Sequence, residues 1–73
     1  MASRNVTSEI AGKVWKIEVQ PGDLVEADDT VMILESMKME IPVLSPVSGR
    51  IQAIEVRDGE MVREGQVVAV IDL

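Results

Sequence analysis

The chain of 73 residues contains neither cysteine nor histidine. The lack of Cys excludes disulfides and thiol chemistry, and it fits a cytoplasmic protein, because disulfides persist in oxidising compartments. The lack of His removes the commonest metal ligand and general base. Trp15 is the one aromatic residue, so the chain has no platform on which bases or sugars could stack. We therefore expect no catalytic site and no metal site.

Basic residues are also scarce. Seven Lys and Arg face thirteen Asp and Glu, which gives a net charge of −6 and disfavours binding to nucleic acid or to an anionic membrane. The longest apolar run, 67–71, is far shorter than the roughly 20 residues of a membrane span. The polar start, 2–5, is unlike a signal peptide. We expect a soluble chain with no nucleic-acid or membrane partner.

The length of the chain leaves room for one domain, 1–73, with a small core. Within it, the sequence repeats itself without gaps after 37 residues. Identical residues recur in the following pairs: Gly12 and Gly49, Ile17-Glu18-Val19 and Ile54-Glu55-Val56, Gly22 and Gly59, Val25 and Val62, Val31 and Val68. Solenoids need at least three copies for stability, so two copies predict a closed pair.

Each copy has the pattern of short strands separated by turns. The apolar and β-branched segments predict strands at 12–19, 24–25 and 31–35, and at 49–56, 61–62 and 67–71 in the second copy, and the apolar segment 41–44 predicts one more. Many short strands with Gly and Asp between them favour a flattened β-barrel or sandwich. We expect an all-β fold with pseudo-twofold symmetry, with halves at about 6–36 and 45–73 joined by a hairpin at 35–40.

That hairpin breaks two local rules. A two-residue turn needs positive φ at one or both central residues and favours Asn or Gly, whereas the centre here is Met37-Lys38. The same turn places Glu35 opposite Glu40, a like-charge pair that costs stability. A local conflict inside an otherwise consistent sequence indicates a functional site. The repeat also places Lys38 in the position of the gap between the chain ends, so the lysine and the termini are expected at opposite ends of the barrel.

Two further positions carry expectations. Asp28 occupies the place that Gly65 has in the second copy, and Asp tolerates a left-handed turn better than most residues. Trp15 falls on the opposite face of its strand from Val14, which predicts a partly exposed packing residue rather than a ligand contact.

The segment Glu35-Ser36-Met37-Lys38-Met39 resembles the biotin attachment motif of biotin carboxyl carrier domains. The two halves, from about residue 6 to residue 73, resemble the biotinyl/lipoyl attachment family. The resemblance implies two four-stranded antiparallel sheets, with Lys38 exposed on the turn between the fourth and fifth strands. It also implies that a separate biotin protein ligase joins biotin covalently to Lys38. The biotin would then carry a carboxyl group between biotin carboxylase and carboxyltransferase components.

The residues around Lys38 have two interpretations each. Met37 and Met39 either fold back over the end of the barrel, since Met fills irregular gaps, or form a soft surface for the ligase and the carboxylase. Glu35, Ser36 and Glu40 are either solvated hairpin residues or determinants of recognition.

The chain has no Gly-rich phosphate loop and no nucleophile paired with a base. Together with the resemblance, this favours a carrier protein over an enzyme. Met1 and the short length favour a free-standing carrier, and as an isolated domain it is expected to be monomeric. One alternative is a lipoyl carrier on the same lysine, although lipoyl sites usually have Asp before and Ala after it. The other is an unmodified interaction module.

Overall fold

The protein, described here from a computed structural model over residues 2–73, forms two antiparallel β-sheets of four strands each. Met1, on which the expectation of a free-standing chain partly rests, lies outside this range. The strands are β1 (Ser3–Thr7), β2 (Gly12–Ile17), β3 (Leu24–Val25), β4 (Thr30–Ser36), β5 (Met39–Leu44), β6 (Gly49–Ile54), β7 (Met61–Val62) and β8 (Val67–Asp72). One sheet has the order β1-β8-β6-β3 and the other β5-β4-β2-β7. The all-β class and the pair of four-stranded sheets are confirmed.

The core lies between the sheets and is aliphatic. Alternation along the strands turns one side chain in two inward. The buried hydrophobic residues are Val6, Val14, Val25, Val31, Met32, Leu34, Val43, Ile51, Val56, Val62, Val68, Ala69 and Ile71. Both sheets contribute to this one cluster, so neither could bury its apolar face alone.

The pseudo-twofold symmetry predicted from the repeat is confirmed by hydrogen bonds that recur after 37 residues. The buried Ser8 hydroxyl donates to the Ile10 carbonyl at 2.5 Å, and the buried Ser45 hydroxyl donates to the Val47 carbonyl at 2.6 Å. The amide of Glu18 donates to Val31 at 2.9 Å, just as, one period later, Glu55 donates to Val68 at the same distance. The two copies therefore share backbone geometry in their connections as well as in their strands.

The same symmetry extends to irregularities of the strands. β2 is bulged between Val14 and Lys16, and β6 is bulged between Ile51 and Ala53. The residue left unpaired in β2 is Trp15, which is half exposed, as its strand face predicts.

Strand β1 was not predicted from the sequence, because its residues are polar apart from Val6. It pairs with β8 at one edge of its sheet. Its place in the first copy matches that of β5 in the second, one period later, so the repeat could have been used to predict β1 from β5. No helix in residues 2–73 has the length and apolar character needed to cross a membrane.

Candidate modification site

The turn between β4 and β5 consists of Met37 and Lys38, and both have positive φ, 52° and 66°. This is the left-handed conformation that a two-residue hairpin turn requires and that glycine and asparagine adopt most readily. For other residues such a conformation costs about 1–3 kcal/mol each. The turn geometry predicted from the sequence is therefore present, and residues poorly suited to it hold it.

Lys38 is exposed at this turn. Within residues 2–73, its ammonium group has no hydrogen bond and no ion pair. A lysine side chain has four rotatable methylene carbons and a compact polar end. The Nζ atom of Lys38 is thus free to be reached by another protein from the solvent side.

Met37 and Met39 are exposed as well. The exposed fraction is 93% for Met37 and 63% for Met39. Met37 therefore does not fold back over the end of the barrel, and Met39 does so at most in part. The exposure of Met37 thus argues against the first interpretation, and a role of either methionine in recognition stays a prediction.

Glu35 and Glu40 face each other across β4 and β5, as the register predicted, and both are exposed. Ser36, which pairs with Met39, is half-buried. Directly opposed like charges destabilise a strand pair. The two carboxylates therefore place negative charge on one face beside the base of the turn.

A positively charged residue lies on the neighbouring strand β2. Lys13 pairs with Glu35 on the side away from Glu40 and is also exposed. Residues that pair directly across adjacent strands share one face of a sheet. The order Glu40, Glu35, Lys13 thus places a positive charge next to two negative ones. Sequence reasoning did not single out Lys13, because a residue 22 positions before Glu35 becomes its neighbour only once the strand order is known.

The turn and the chain ends lie at opposite ends of the molecule. β5 runs from the turn to Leu44. β1 begins at Ser3, next to the hydrogen bond between Leu73 and Ala2, and ends at Thr7. Thr7 and Leu44 line one cleft, so the last residues of β1 and β5 lie close together. Strands of five and six residues span about 17–20 Å each, which accounts for the long dimension of 37 Å against 17 Å for the other two.

No group of acidic, histidine or cysteine side chains suited to a metal ion occurs in the part of the chain that the structure describes. The cleft lined by 7–10 and 41–44 lies beside the middle of the barrel and does not include the turn. Of the sequence-predicted site residues, all six lie in hairpin 35–40.

The family model described as "Biotin-requiring enzyme" matches residues 2–71. The chain belongs to the biotin/lipoyl attachment family. The resemblance inferred from the Met-Lys-Met motif is thereby confirmed, and the description of the family agrees with the predicted cofactor, biotin.

Relatives within the biotin/lipoyl attachment family include small proteins of nearly the same length. A "Biotinylated protein TB7.3 homolog" of Mycolicibacterium smegmatis is 59% identical over 96% of this chain and 99% of its own. A "Biotin/lipoyl attachment protein" of Bacillus subtilis is 50% identical over 40 residues, which are 55% of each chain. The alignment with the second protein thus covers about half of either sequence.

Solved structures of the family include parts of large carboxylases. The urea carboxylase of Kluyveromyces lactis superimposes with a TM-score of 0.93 and 40% identity, over 99% of this chain and 6% of that one. A single-chain, multi-domain long-chain acyl-CoA carboxylase gives a TM-score of 0.87 and 25% identity, over 93% of this chain and 7% of that one. The biotin/lipoyl attachment fold thus accounts for a small fraction of each enzyme.

Proposed function

We propose that this protein is a biotin carrier and that biotin is attached to Nζ of Lys38. The observation that carries the proposal is the exposed Lys38 on a two-residue left-handed turn, in a chain whose family is described as biotin-requiring. A relative matching 96% of the chain is named a biotinylated protein. The lysine is long, exposed and unpaired within residues 2–73, so the site fits an amide-linked group.

A separate biotin protein ligase makes the bond. The Lys38 amine attacks the biotin carboxyl carbon, which the ligase has activated with ATP; an amide N–C bond forms, and the activating group leaves with its electron pair. The proton released from the amine passes to a base on the ligase, because hairpin 35–40 offers only carboxylates, which are weak bases. Glu35, Ser36, Met37, Met39 and Glu40 are the contact residues for the ligase in this proposal.

The attached biotin supplies a carrier for a carboxyl group. Biotin carboxylase and carboxyltransferase components are the proposed partners, on the support of similarity to a urea carboxylase and an acyl-CoA carboxylase and to the gamma subunit of a glutaconyl-CoA decarboxylase of Acidaminococcus fermentans. The chain contributes the exposed tether and the rigid barrel behind it, and acts as a monomer in the cytoplasm.

Intact mass spectrometry and a streptavidin blot test the site. The chain and its Lys38→Arg variant are co-expressed with a biotin protein ligase in the presence of biotin. Lys13→Arg and Lys16→Arg are matched controls, since both lysines are exposed on β2. We expect one biotinyl group per chain in the wild type and in both controls, and none in Lys38→Arg.

Two results would count against the proposal. Biotin that persists in Lys38→Arg would place the site elsewhere. A lipoyl mass on Lys38 in protein from its own host, with no biotin, would favour a lipoyl carrier, which the name of the Bacillus subtilis relative includes.

A further inference from the structure

Gly12 begins β2 directly beside the base of hairpin 35–40. It is buried, and its φ lies outside the left-handed region, so the freedom of glycine in φ is not what this position needs. A Cβ atom added to Gly12 would lie 2.9 Å from the carbonyl oxygen of Glu35 and 3.5 Å from Cβ of Ser36. The first distance is shorter than real Cβ atoms tolerate. Glycine is therefore required here because any side chain would clash with the Glu35 carbonyl oxygen.

The atom that Gly12 approaches belongs to the backbone leading into the turn. Glu35 is followed by Ser36 and then by Met37, so a displaced Glu35 carbonyl changes the direction in which the chain enters the turn. The left-handed region open to Met37 and Lys38 is small, and these two residues have little room to absorb such a change by adjusting φ and ψ. The orientation of Lys38 therefore depends on how closely β2 packs against β4.

We infer that Gly12 is a positioning residue for Lys38. Its missing side chain lets β2 lie against the Glu35 carbonyl, which fixes the base of the hairpin and presents the lysine to the ligase in one orientation. This inference rests on the proposed function. It adds a residue that lies outside the attachment motif, 26 positions before the lysine in sequence.

The pseudo-twofold symmetry provides a matched control at Gly49. A Cβ added there would collide with the carbonyl oxygen of Asp72 and lie 2.6 Å from Cγ2 of Ile71. Gly49 thus has the same role beside the chain ends as Gly12 has beside the turn, and its steric demand is at least as large. Substitution at Gly49 strains the same fold at the end away from Lys38.

The experiment compares Gly12→Ala with Gly49→Ala. Thermal unfolding is measured first, and biotinylation kinetics with a purified biotin protein ligase, ATP and biotin are then measured at a temperature at which both variants are folded. We expect both melting temperatures to fall. Because a misplacement of 1 Å can cost about 100-fold in rate, a shift of a few tenths of an ångström should lower kcat/KM for ligation about 3- to 10-fold in Gly12→Ala. Gly49→Ala should be biotinylated at the wild-type rate.

Backbone amide NMR shifts give a second readout that does not depend on the ligase. In Gly12→Ala the shifts of Met37, Lys38 and Met39 should move, whereas in Gly49→Ala those of Ala2 and Ser3 should move instead. If Gly12→Ala does not fold in buffer alone, the wild type and both variants are compared in the presence of a stabilising osmolyte such as TMAO, which favours the folded state of all three.

Equal ligation rates for the two folded alanine variants, or unchanged shifts at Met37–Met39 in Gly12→Ala, would overturn the inference. Failure of the proposed function looks different. In that case the wild-type chain itself would accept no biotin on Lys38, whatever the effect of Gly12→Ala on the shifts of the turn.

Discussion

At the scale of single residues, three non-glycine residues in the described range 2–73 have positive φ: Asp28 at 75°, Met37 at 52° and Lys38 at 66°. Asp28 corresponds by symmetry to Gly65, whose φ is 83°, and Asp is one of the residue types that tolerate this conformation. Met and Lys are not. The residues at the turn are thus poorly matched to its backbone.

Replacing Met37 with asparagine should stabilise the protein. Asn adopts positive φ more readily than Met, and the side chain of Met37 is 93% exposed, so little packing is lost. We expect the free energy of unfolding to rise by about 0.5–1 kcal/mol, the part of the left-handed strain that Asn relieves, and ligation to become slower because an apolar contact is removed. Urea unfolding and ligation kinetics measure the two effects.

Met61→Asn is the control for this prediction. Met61 is 67% exposed on β7, and its φ is not positive, so the same replacement there should not raise stability. A Met37→Asn variant no more stable than the wild type would show that the turn is not strained.

At the scale of elements, hairpin β4–β5 contains a repulsive pair next to its turn. Glu35 and Glu40 are directly opposed and exposed. Glu40→Gln removes the repulsion, and we expect it to stabilise the protein by about 0.2–1 kcal/mol at low salt. Because exposed charges are screened, with a Debye length of about 10 Å at 0.1 M salt and about 3 Å at 1 M, the gain should shrink as salt is added. Denaturant unfolding at two salt concentrations measures it.

Glu18→Gln provides the opposite case. Glu18 pairs with Lys16 at 3.5 Å, so its neutralisation should leave stability unchanged or lower it slightly, as is typical of exposed ion pairs. Equal gains from Glu40→Gln and Glu18→Gln would mean that only the net charge of −6 matters, and not the pairing of Glu35 with Glu40.

At the scale of the whole molecule, the long axis separates the turn at Lys38 from the chain ends. Ala2 and Leu73 are hydrogen-bonded to each other at 3.1 Å, at the end away from Lys38. A folded domain fused to either terminus through a flexible linker should therefore leave the ligation rate within about twofold of that of the free chain, since the approach to Lys38 stays open. The same domain inserted after Ile10, in the connection between β1 and β2, is the comparison, because that connection leads to Gly12 beside the hairpin. A terminal fusion that slowed ligation tenfold would contradict the separation.

Most of the fold could be predicted from the sequence because the same strand pattern occurs in both copies of the repeat. The repeated Gly and Val positions predicted six of the eight strands in pairs, and the apolar segment after Lys38 predicted β5. The positive φ at the turn and the Glu35–Glu40 register followed from the two-residue length of the turn. Strand β1 was missed because its polar residues show no apolar alternation.

The surroundings of Lys38 were less predictable than the lysine itself. The Met-Lys-Met motif is a local signal, so it could be found from a few adjacent residues. Lys13 pairs with Glu35, and Gly12 lies against the Glu35 carbonyl, from another strand, and no local pattern contains such a pairing. The exposure of Met37 also depends on where the barrel ends, since a methionine fits a gap or a surface equally well.

The hydrogen bond between Leu73 and Ala2 means that the chain is almost a ring. In a closed ring with two periods of 37 residues, the turn at Lys38 and the gap between the termini would be equivalent corners. The observed chain corresponds to opening that ring at one of these two corners, the one away from Lys38. A chain cut at the lysine corner and joined at the other would keep every strand pairing, and would have its free ends at the position of Lys38 in the present protein.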